Sequence, residues 1–144
     1  MNEIKDILSK YKNIAMIGVS NDPTKASTIV MKYMQKYGYK VYPVNPKAKG
    51  QKILGEKVFE KITDIKDKID IVDVFRPSIE VPAIAEDTIK IKAKVLWLQL
   101  GIKSEEAKKL METYNIKYIE NKCTKMEYQT LFLKVRQAFP ALQE

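Results

Sequence analysis

The sequence contains no histidine in its 144 residues. Histidine is the usual general base and a common metal ligand, so its absence excludes Ser–His–Asp and Cys–His catalysis and histidine metal sites. A single cysteine, Cys123, excludes an intrachain disulfide and a cysteine-based metal cluster. The sequence therefore predicts no metal site and no catalytic residues, and the protein is expected to bind a ligand without transforming it.

Long apolar runs are also missing. No stretch approaches the roughly 18 uninterrupted apolar residues of a membrane-spanning helix. The N-terminus begins with polar and acidic residues and shows no apolar core of a signal peptide. We therefore expect a cytoplasmic protein with no membrane partner.

Arginine is scarce in a basic chain. The 26 Lys and Arg residues outnumber 18 Asp and Glu, which gives a net charge of +8, yet only Arg76 and Arg136 are arginines. The surplus favours an anionic partner such as a phosphorylated metabolite, although a lysine-rich composition alone can produce it. A protein that reads nucleic-acid bases would be expected to use more arginine. Nucleic-acid binding is therefore not expected and stays a hypothesis that rests on charge alone.

Short apolar runs alternate with amphipathic segments along the whole chain. Hydrophobic residues make up 45% and charged residues 31%, a balance typical of one globular domain, here spanning 1–144. Strands are predicted at 14–19, 39–44, 69–75, 94–100 and 116–120. Helices are predicted at 2–12, 27–37, 78–91, 104–114 and 126–139, with Ser27, Ser78 and Ser104 as N-caps. A loop is predicted at 47–57 with a short extended piece at 52–54, and a helical turn at 63–68.

This alternation predicts an α/β fold: a mostly parallel, doubly wound five-stranded sheet with helices on both faces. Asp70 and Asp73 are less apolar than a central strand requires, so at least one of them is expected at a strand end or facing a loop. Trp97 is expected in the core.

Ligands of such sheets lie outside the carboxyl ends of the strands. The residues that follow the five predicted strands there are Gly18, Val19, Ser20, Lys25 and Ser27; Asn45 and Pro46; Phe75 and Arg76; Gln99 and Gly101; and Cys123. Gly18 and the helix after it form the strand–loop–helix arrangement that binds phosphate, because free N–H groups and the positive end of the helix dipole face the anion. Arg76 has two possible roles, ligand contact or ion pair with Asp70 or Asp73.

The first loop does not fit the common nucleotide motifs. Only Gly18 is present of the G-x-G-x-x-G pattern, and Asn45-Pro46 stands where an acidic residue would hold a ribose, so a standard NAD site is disfavoured. The loop also lacks the G-K-[ST] of a Walker loop. A different phosphate ligand, held by Ser20, Lys25, Ser27 and backbone N–H groups, fits better.

Cys123 allows two interpretations. Lys122 and Lys125 favour its thiolate, which would suit a thiol-dependent enzyme or a redox sensor. Without histidine it has no ordinary partner base, and a buried or incidental thiol is the alternative.

Several blocks of the sequence together resemble a known family. They are Gly18-Val-Ser-Asn-Asp-Pro with Lys25 and Ser27, Gly38 to Pro46, Ile53-Leu-Gly-Glu56, Asp70 to Arg76, Leu96 to Gly101, and Asn121-Lys-Cys123. In order and spacing they resemble the small stand-alone CoA-binding proteins, which are similar to the CoA-binding domain of the succinyl-CoA synthetase α subunit. The likeness covers roughly residues 5 to 138.

The resemblance implies a Rossmann-like domain that binds coenzyme A or an acyl-CoA through the edge residues named above. The synthetases form a phosphohistidine, which this chain cannot do. The arginine typical of the family's first loop is replaced by Lys25, which keeps the charge and loses a bidentate phosphate contact. A Cys123-dependent enzyme or sensor acting with CoA and another nucleotide-binding function are the alternatives; the oligomeric state is not predicted.

Overall fold

The computed structural model describes residues 2–134. The helices are α1 (Glu3–Lys10), α2 (Ala26–Lys36), α3 (Val81–Lys90), α4 (Glu105–Thr113) and α5 (Thr124–Phe132). The strands are β1 (Asn13–Ile17), β2 (Lys40–Val44), β3 (Lys52–Ile53), β4 (Glu56–Lys57), β5 (Ile71–Val74), β6 (Val95–Leu98) and β7 (Lys117–Ile119). None of the described helices is long and apolar enough to cross a membrane.

Five of the strands form one parallel sheet in the order β2-β1-β5-β6-β7. The chain adds β2 on one side of β1 and then crosses to the other side to add β5, β6 and β7. The predicted doubly wound parallel sheet is confirmed. Its order reverses between β1 and β5, and the crevice outside such a switch point is where doubly wound folds bind ligands.

The two faces of the sheet are covered by different helices. Alternation along the strands sends Met16 and Trp97 to the face under α1, α2 and α5, and Ala15 and Leu96 to the face under α3 and α4. Trp97 is fully buried, as predicted, and its Nε1 donates to the Lys122 carbonyl at 2.8 Å. Each large apolar side chain buried in this way contributes about 1.5–3 kcal/mol, so both faces hold the sheet in place.

The three predicted N-caps have different outcomes. Ser104 is confirmed, since its hydroxyl accepts from Ala107 N at 3.1 Å at the start of α4. Ser27 is wrong as a cap, because α2 begins at Ala26 with Lys25 as N-cap, and the Ser27 hydroxyl accepts from Ser20 N in the preceding loop. Ser78 is also wrong: it opens a 3-10 turn before α3, and its hydroxyl accepts from Lys103 N. The partner of the Ser27 hydroxyl is 7 residues away and that of the Ser78 hydroxyl is 25 residues away, so neither hydroxyl caps its own helix.

The segment after β2 is more ordered than the predicted loop at 47–57. A 3-10 turn at Pro46–Ala48 leads into an antiparallel hairpin of β3 and β4, and the turn predicted at 63–68 lies at Ile62–Asp64. At the other end of the chain, α5 begins at Thr124 and ends at Phe132, because Lys134 has a left-handed φ of 56° that a helix does not accommodate. The rest of the helix predicted to 139, with Arg136, lies outside the described residues.

Candidate functional site

Gly18 is the point at which three strand ends meet. Its N–H donates to the Val44 carbonyl at the end of β2 at 2.8 Å. Its φ is +92°, and a Cβ at this position would lie 2.9 Å from the Phe75 carbonyl oxygen and 2.9 Å from Arg76 Cδ. Only glycine fits both the backbone conformation and the space. The absent side chain lets the loop after β5 lie directly against the loop after β1.

Hydrogen bonds tie the loop after Gly18 to the first turn of α2. Ser20 N donates to Ser27 Oγ at 3.1 Å, and Thr28 Oγ1 donates to the Ser20 carbonyl at 2.6 Å. Ser20 Oγ in turn accepts from Asp22 N at 3.0 Å. The hydroxyls of Ser20 and Ser27 therefore shape the loop, and each keeps its own proton for a further acceptor.

The N-terminus of α2 points its unbonded groups toward this loop. The first-turn N–H groups of a helix have no intrahelical acceptor, and the N-cap residue of α2, Lys25, supplies no side-chain acceptor for them. The exposed Lys25 side chain adds a charge beside the positive end of the helix dipole. These features suit an anion.

A cleft of about 260 Å³ opens at the switch point, between the loops after β1, β2 and β5 and one face of α3. Four of the residues predicted from the sequence line it: Gly18, Asn45, Pro46 and Arg76. The Asn45 side chain also organises the wall, since Nδ2 donates to the Val19 carbonyl at 2.9 Å and Oδ1 accepts from Lys47 N at 3.0 Å.

The acidic side chains of the cleft have ion-pair partners among the described residues, whereas two of its basic side chains do not. Its three carboxylates each have a basic partner: Glu60 pairs with Lys49 at 3.2 Å, Glu80 with Arg76 at 2.7 Å and Asp87 with Lys90 at 3.6 Å. The two cleft lysines, Lys47 and Lys61, form no ion pair with any residue in the described range 2–134. The unpaired charge in the cleft is therefore positive.

Arg76 bonds Glu80 through two nitrogens, Nε at 3.0 Å and a terminal nitrogen at 2.7 Å. Its partner is thus neither Asp70 nor Asp73, the two alternatives considered from the sequence. These bonds lower the pKa of the Glu80 carboxyl, so Glu80 stays ionised at neutral pH. Both side chains remain more than 40% exposed, so an anion in the cleft can reach the guanidinium.

A buried polar cluster lies at the same sheet edge on the opposite face. Gln99 Nε2 donates to Asp73 Oδ1 at 2.6 Å and is 3.1 Å from Thr124 Oγ1, which itself donates to Asp73 Oδ2 at 3.3 Å. Burial raises the pKa of Asp73 to about 7, and the hydrogen bonds from Gln99 and Thr124 oppose that rise. Of the two aspartates considered from the sequence, Asp70 precedes β5 as expected, whereas Asp73 lies within the strand and is fully buried.

Cys123 is half-buried next to this cluster. Burial raises the pKa of its thiol, and the nearby Asp73 acts in the same direction, while the backbone N–H groups of Lys125 and Met126 oppose it. The neutral thiol is therefore favoured, contrary to the thiolate that neighbouring lysines would promote. Among residues 2–134, no group of three or more Cys, Asp or Glu side chains is placed to hold a metal ion.

The structure thus divides the predicted site residues into groups. The first loop contains Gly18, Ser20, Lys25 and Ser27, and the cleft is lined by Gly18, Asn45, Pro46 and Arg76. Phe75 lies beside Gly18 but does not line the cleft, and its side chain packs on the face under α1, α2 and α5. Val19 and Gln99 are buried, and Gly101 is exposed and donates its N–H to Asn121 Oδ1 at 2.7 Å. Gln99, Gly101 and Cys123 do not line the cleft.

No site role was predicted from the sequence for Lys47 and Lys61 in the cleft, or for Asp73 and Thr124 in the buried cluster. Lys47 directly follows Asn45-Pro46, which is a signal that could have identified it. Thr124 directly follows Cys123 in the loop after the fifth predicted strand, which is a comparable signal, whereas nothing in the sequence around Lys61 gives one.

Known proteins share both the sequence pattern and the fold. The protein YneT of Bacillus subtilis is 38% identical over 126 residues, which cover 88% of this chain and 92% of YneT. A hypothetical protein from Pyrococcus horikoshii has a solved structure with a TM-score of 0.86 and 39% identity, covering 90% of this chain and 89% of that one. An ADP-forming acetate–CoA ligase of Methanocaldococcus jannaschii is 31% identical over 81% of this chain, which spans only 17% of the ligase.

A family described as "CoA binding domain" matches residues 12–129, a range that includes every strand, the loop after Gly18 and the cleft. Since this match covers most of the chain and agrees with the relatives, the chain belongs to the CoA-binding domain family.

Proposed function

We propose that the protein binds coenzyme A, free or acylated, along the carboxyl edge of the sheet and performs no chemistry on it. The cleft at the switch point carries the proposal, because its unpaired charges are the ammonium groups of Lys47 and Lys61. CoA is a polyanion, with a pyrophosphate and a 3′-phosphate. Membership of the CoA-binding family and the likeness to part of an acetate–CoA ligase support the same ligand.

The first loop is suited to the pyrophosphate. The N–H groups of the α2 N-terminus and the hydroxyls of Ser20 and Ser27 can donate to phosphate oxygens, with Lys25 beside them. Because Gly18 has no side chain, the loop after β5 lies against the loop after β1, which brings Arg76 close to the first loop. In this proposal the cleft lysines face the 3′-phosphate.

The absence of chemistry is part of the proposal. The sequence has no histidine, and the neutral thiol is favoured for its one cysteine. We also propose that residues 1–144 act as one domain, in the cytoplasm, with CoA rather than nucleic acid as the anionic partner.

The test is calorimetric titration with CoA, dephospho-CoA, NAD and ATP. We expect CoA to bind more tightly than dephospho-CoA, because only CoA has the 3′-phosphate. Lys47→Ala and Lys61→Ala should each lower CoA affinity about tenfold and reduce the difference between the two ligands, as loss of a charge-assisted contact does. Lys109→Ala, which removes an exposed lysine from α4, should leave both affinities unchanged. If neither CoA nor dephospho-CoA binds at millimolar concentration, the proposal is wrong.

A further inference from the structure

The buried cluster of Asp73, Gln99 and Thr124 has a defined place in the sheet. Asp73 on β5 is in register with Met16 on β1 and Trp97 on β6, and these two side chains face α1, α2 and α5. Gln99 lies two residues beyond Trp97 and thus on the same face, at the carboxyl edge. Thr124 is the first residue of α5. The cluster therefore lies on the other side of the sheet edge from the cleft.

The hydrogen bonds fix which way the Gln99 carboxamide is turned. Its Nε2 donates to Asp73 Oδ1 at 2.6 Å and is 3.1 Å from Thr124 Oγ1. The reversed amide would place Oε1 2.6 Å from a carboxylate oxygen, two acceptors in repulsive contact. An ionised Asp73 therefore excludes the reversed orientation.

The other amide atom, Oε1, is left available. It has no hydrogen-bond partner among residues 2–134. It is also not one of the solvent-inaccessible side-chain atoms that lack a partner, so it keeps some exposure to solvent. Gln99 as a whole is only 4% exposed. The cluster thus presents one fixed acceptor at the ligand edge of the sheet from an otherwise buried side chain.

We propose that Asp73 is a positioning residue that holds Gln99 so that its Oε1 accepts a hydrogen bond from an amide N–H of the ligand. The inference rests on the proposed function and deepens it, because the arm of CoA beyond the pyrophosphate carries amide groups. The loop and the cleft bind the phosphates, and Gln99 accepts a hydrogen bond from an amide N–H of the arm. Asp73 itself does not touch the ligand.

The position of the carboxylate supports this role. An isolated buried carboxylate destabilises a fold, and the hydrogen bonds from Gln99, Thr124 and the Val74 backbone offset that penalty only in part. An apolar residue or an amide at position 73 would serve the core at least as well. A negative charge is what excludes the reversed orientation of the Gln99 amide.

The experiment compares two ligands, CoA and adenosine 3′,5′-bisphosphate, which has the nucleotide phosphates without the arm. Affinities are measured at about pH 8 for the parent protein, Gln99→Met, Asp73→Asn and the double variant. Gln99→Met should lower CoA affinity about fivefold and leave the bisphosphate unchanged within about twofold, as loss of one hydrogen bond predicts. Asp73→Asn should lower CoA affinity about two- to fivefold in the parent background and have no effect in the Gln99→Met background, because Asp73 acts through Gln99.

A second pair of variants applies if Gln99→Met does not fold, which circular dichroism reports. Thr124→Val removes one of the two contacts of Nε2 and should lower the affinity for CoA but not for the bisphosphate. Thr124→Ser keeps the hydroxyl and should retain the CoA affinity of the parent protein. The inference is overturned if the variants weaken both ligands equally, if CoA affinity does not change, or if Asp73→Asn still weakens CoA without Gln99. If the parent protein binds neither ligand, the proposed function fails instead.

Discussion

Asp73 also makes a prediction about stability that requires no ligand. Its pKa is about 7 in the folded protein, compared with an ordinary value of 3.8, because burial disfavours the charged form. At about 1.4 kcal/mol for each pKa unit, this difference corresponds to about 4 kcal/mol. Folded domains are typically stable by about 5–15 kcal/mol, so the effect should be a large fraction of the total.

The sign follows from proton binding. Between about pH 4 and pH 7 the folded state holds a proton on Asp73 that the unfolded state has released, so the free energy of unfolding falls as the pH rises. Above about pH 8 the carboxyl is ionised in both states, and the destabilisation is present in full. Below about pH 4 it is protonated in both states, and the destabilisation is absent.

The assay is urea unfolding of the parent protein and Asp73→Asn at several pH values between about 5.5 and 8. No histidine titrates in this range, since the sequence has none. We expect the parent to lose about 2 kcal/mol between pH 5.5 and 8, with the profile levelling off near pH 8. Asp73→Asn should show a nearly flat profile and be the more stable protein at pH 8, because the amide is not charged.

Asp70→Asn is the matched control, since Asp70 precedes the same strand and its side chain is only half-buried. It should retain the pH dependence of the parent. If the parent profile is as flat as that of Asp73→Asn, the reasoning about the buried carboxylate is refuted.

Three further predictions concern the site. Gly18→Ala should destabilise the protein by about 3 kcal/mol, because a Cβ meets backbone at 2.9 Å, whereas Gly38→Ala, with a similar φ and nothing within 4 Å, should lose only about 1 kcal/mol in the same urea assay. Glu80→Gln should raise CoA affinity about threefold by calorimetry at low salt, because it frees Arg76 and removes a negative charge, and no gain would contradict a phosphate contact by Arg76. Cys123 should react slowly with iodoacetamide at pH 7, with a rate that still rises above about pH 9; a plateau below pH 8 by mass spectrometry would indicate a stabilised thiolate instead.

The sheet could be predicted from the sequence because its signal is local. Continuous apolar runs such as Ile14–Ile17 mark parallel strands buried on both faces, and the order of strands and helices then restricts the topology. The serine caps show the limit of this reasoning. Ser27 and Ser104 look alike in sequence, but the Ser27 hydroxyl is engaged by Ser20, a contact that exists only once the loop has folded back.

The candidate site was predictable where a residue directly follows a strand. Gly18, Asn45 and Arg76 lie where the end of a strand places them, at the switch point. Lys61 follows the 3-10 turn and the short β3–β4 hairpin, elements of two or three residues that leave no periodic pattern in the sequence. The buried cluster was missed for a related reason, since Asp73 and Thr124 are 51 residues apart and meet only through packing of α5 on the sheet.

The hydrogen bonds between Ser20, Ser27 and Thr28 affect the association rate and the entropy of ligand binding. Because these side chains hold the loop in shape with no ligand bound, association should require little ordering of the backbone and lose little conformational entropy. A receptor already in its binding conformation is expected to capture an oppositely charged ligand at a rate governed by diffusion and electrostatic attraction. Added salt should therefore slow the encounter more than it speeds dissociation.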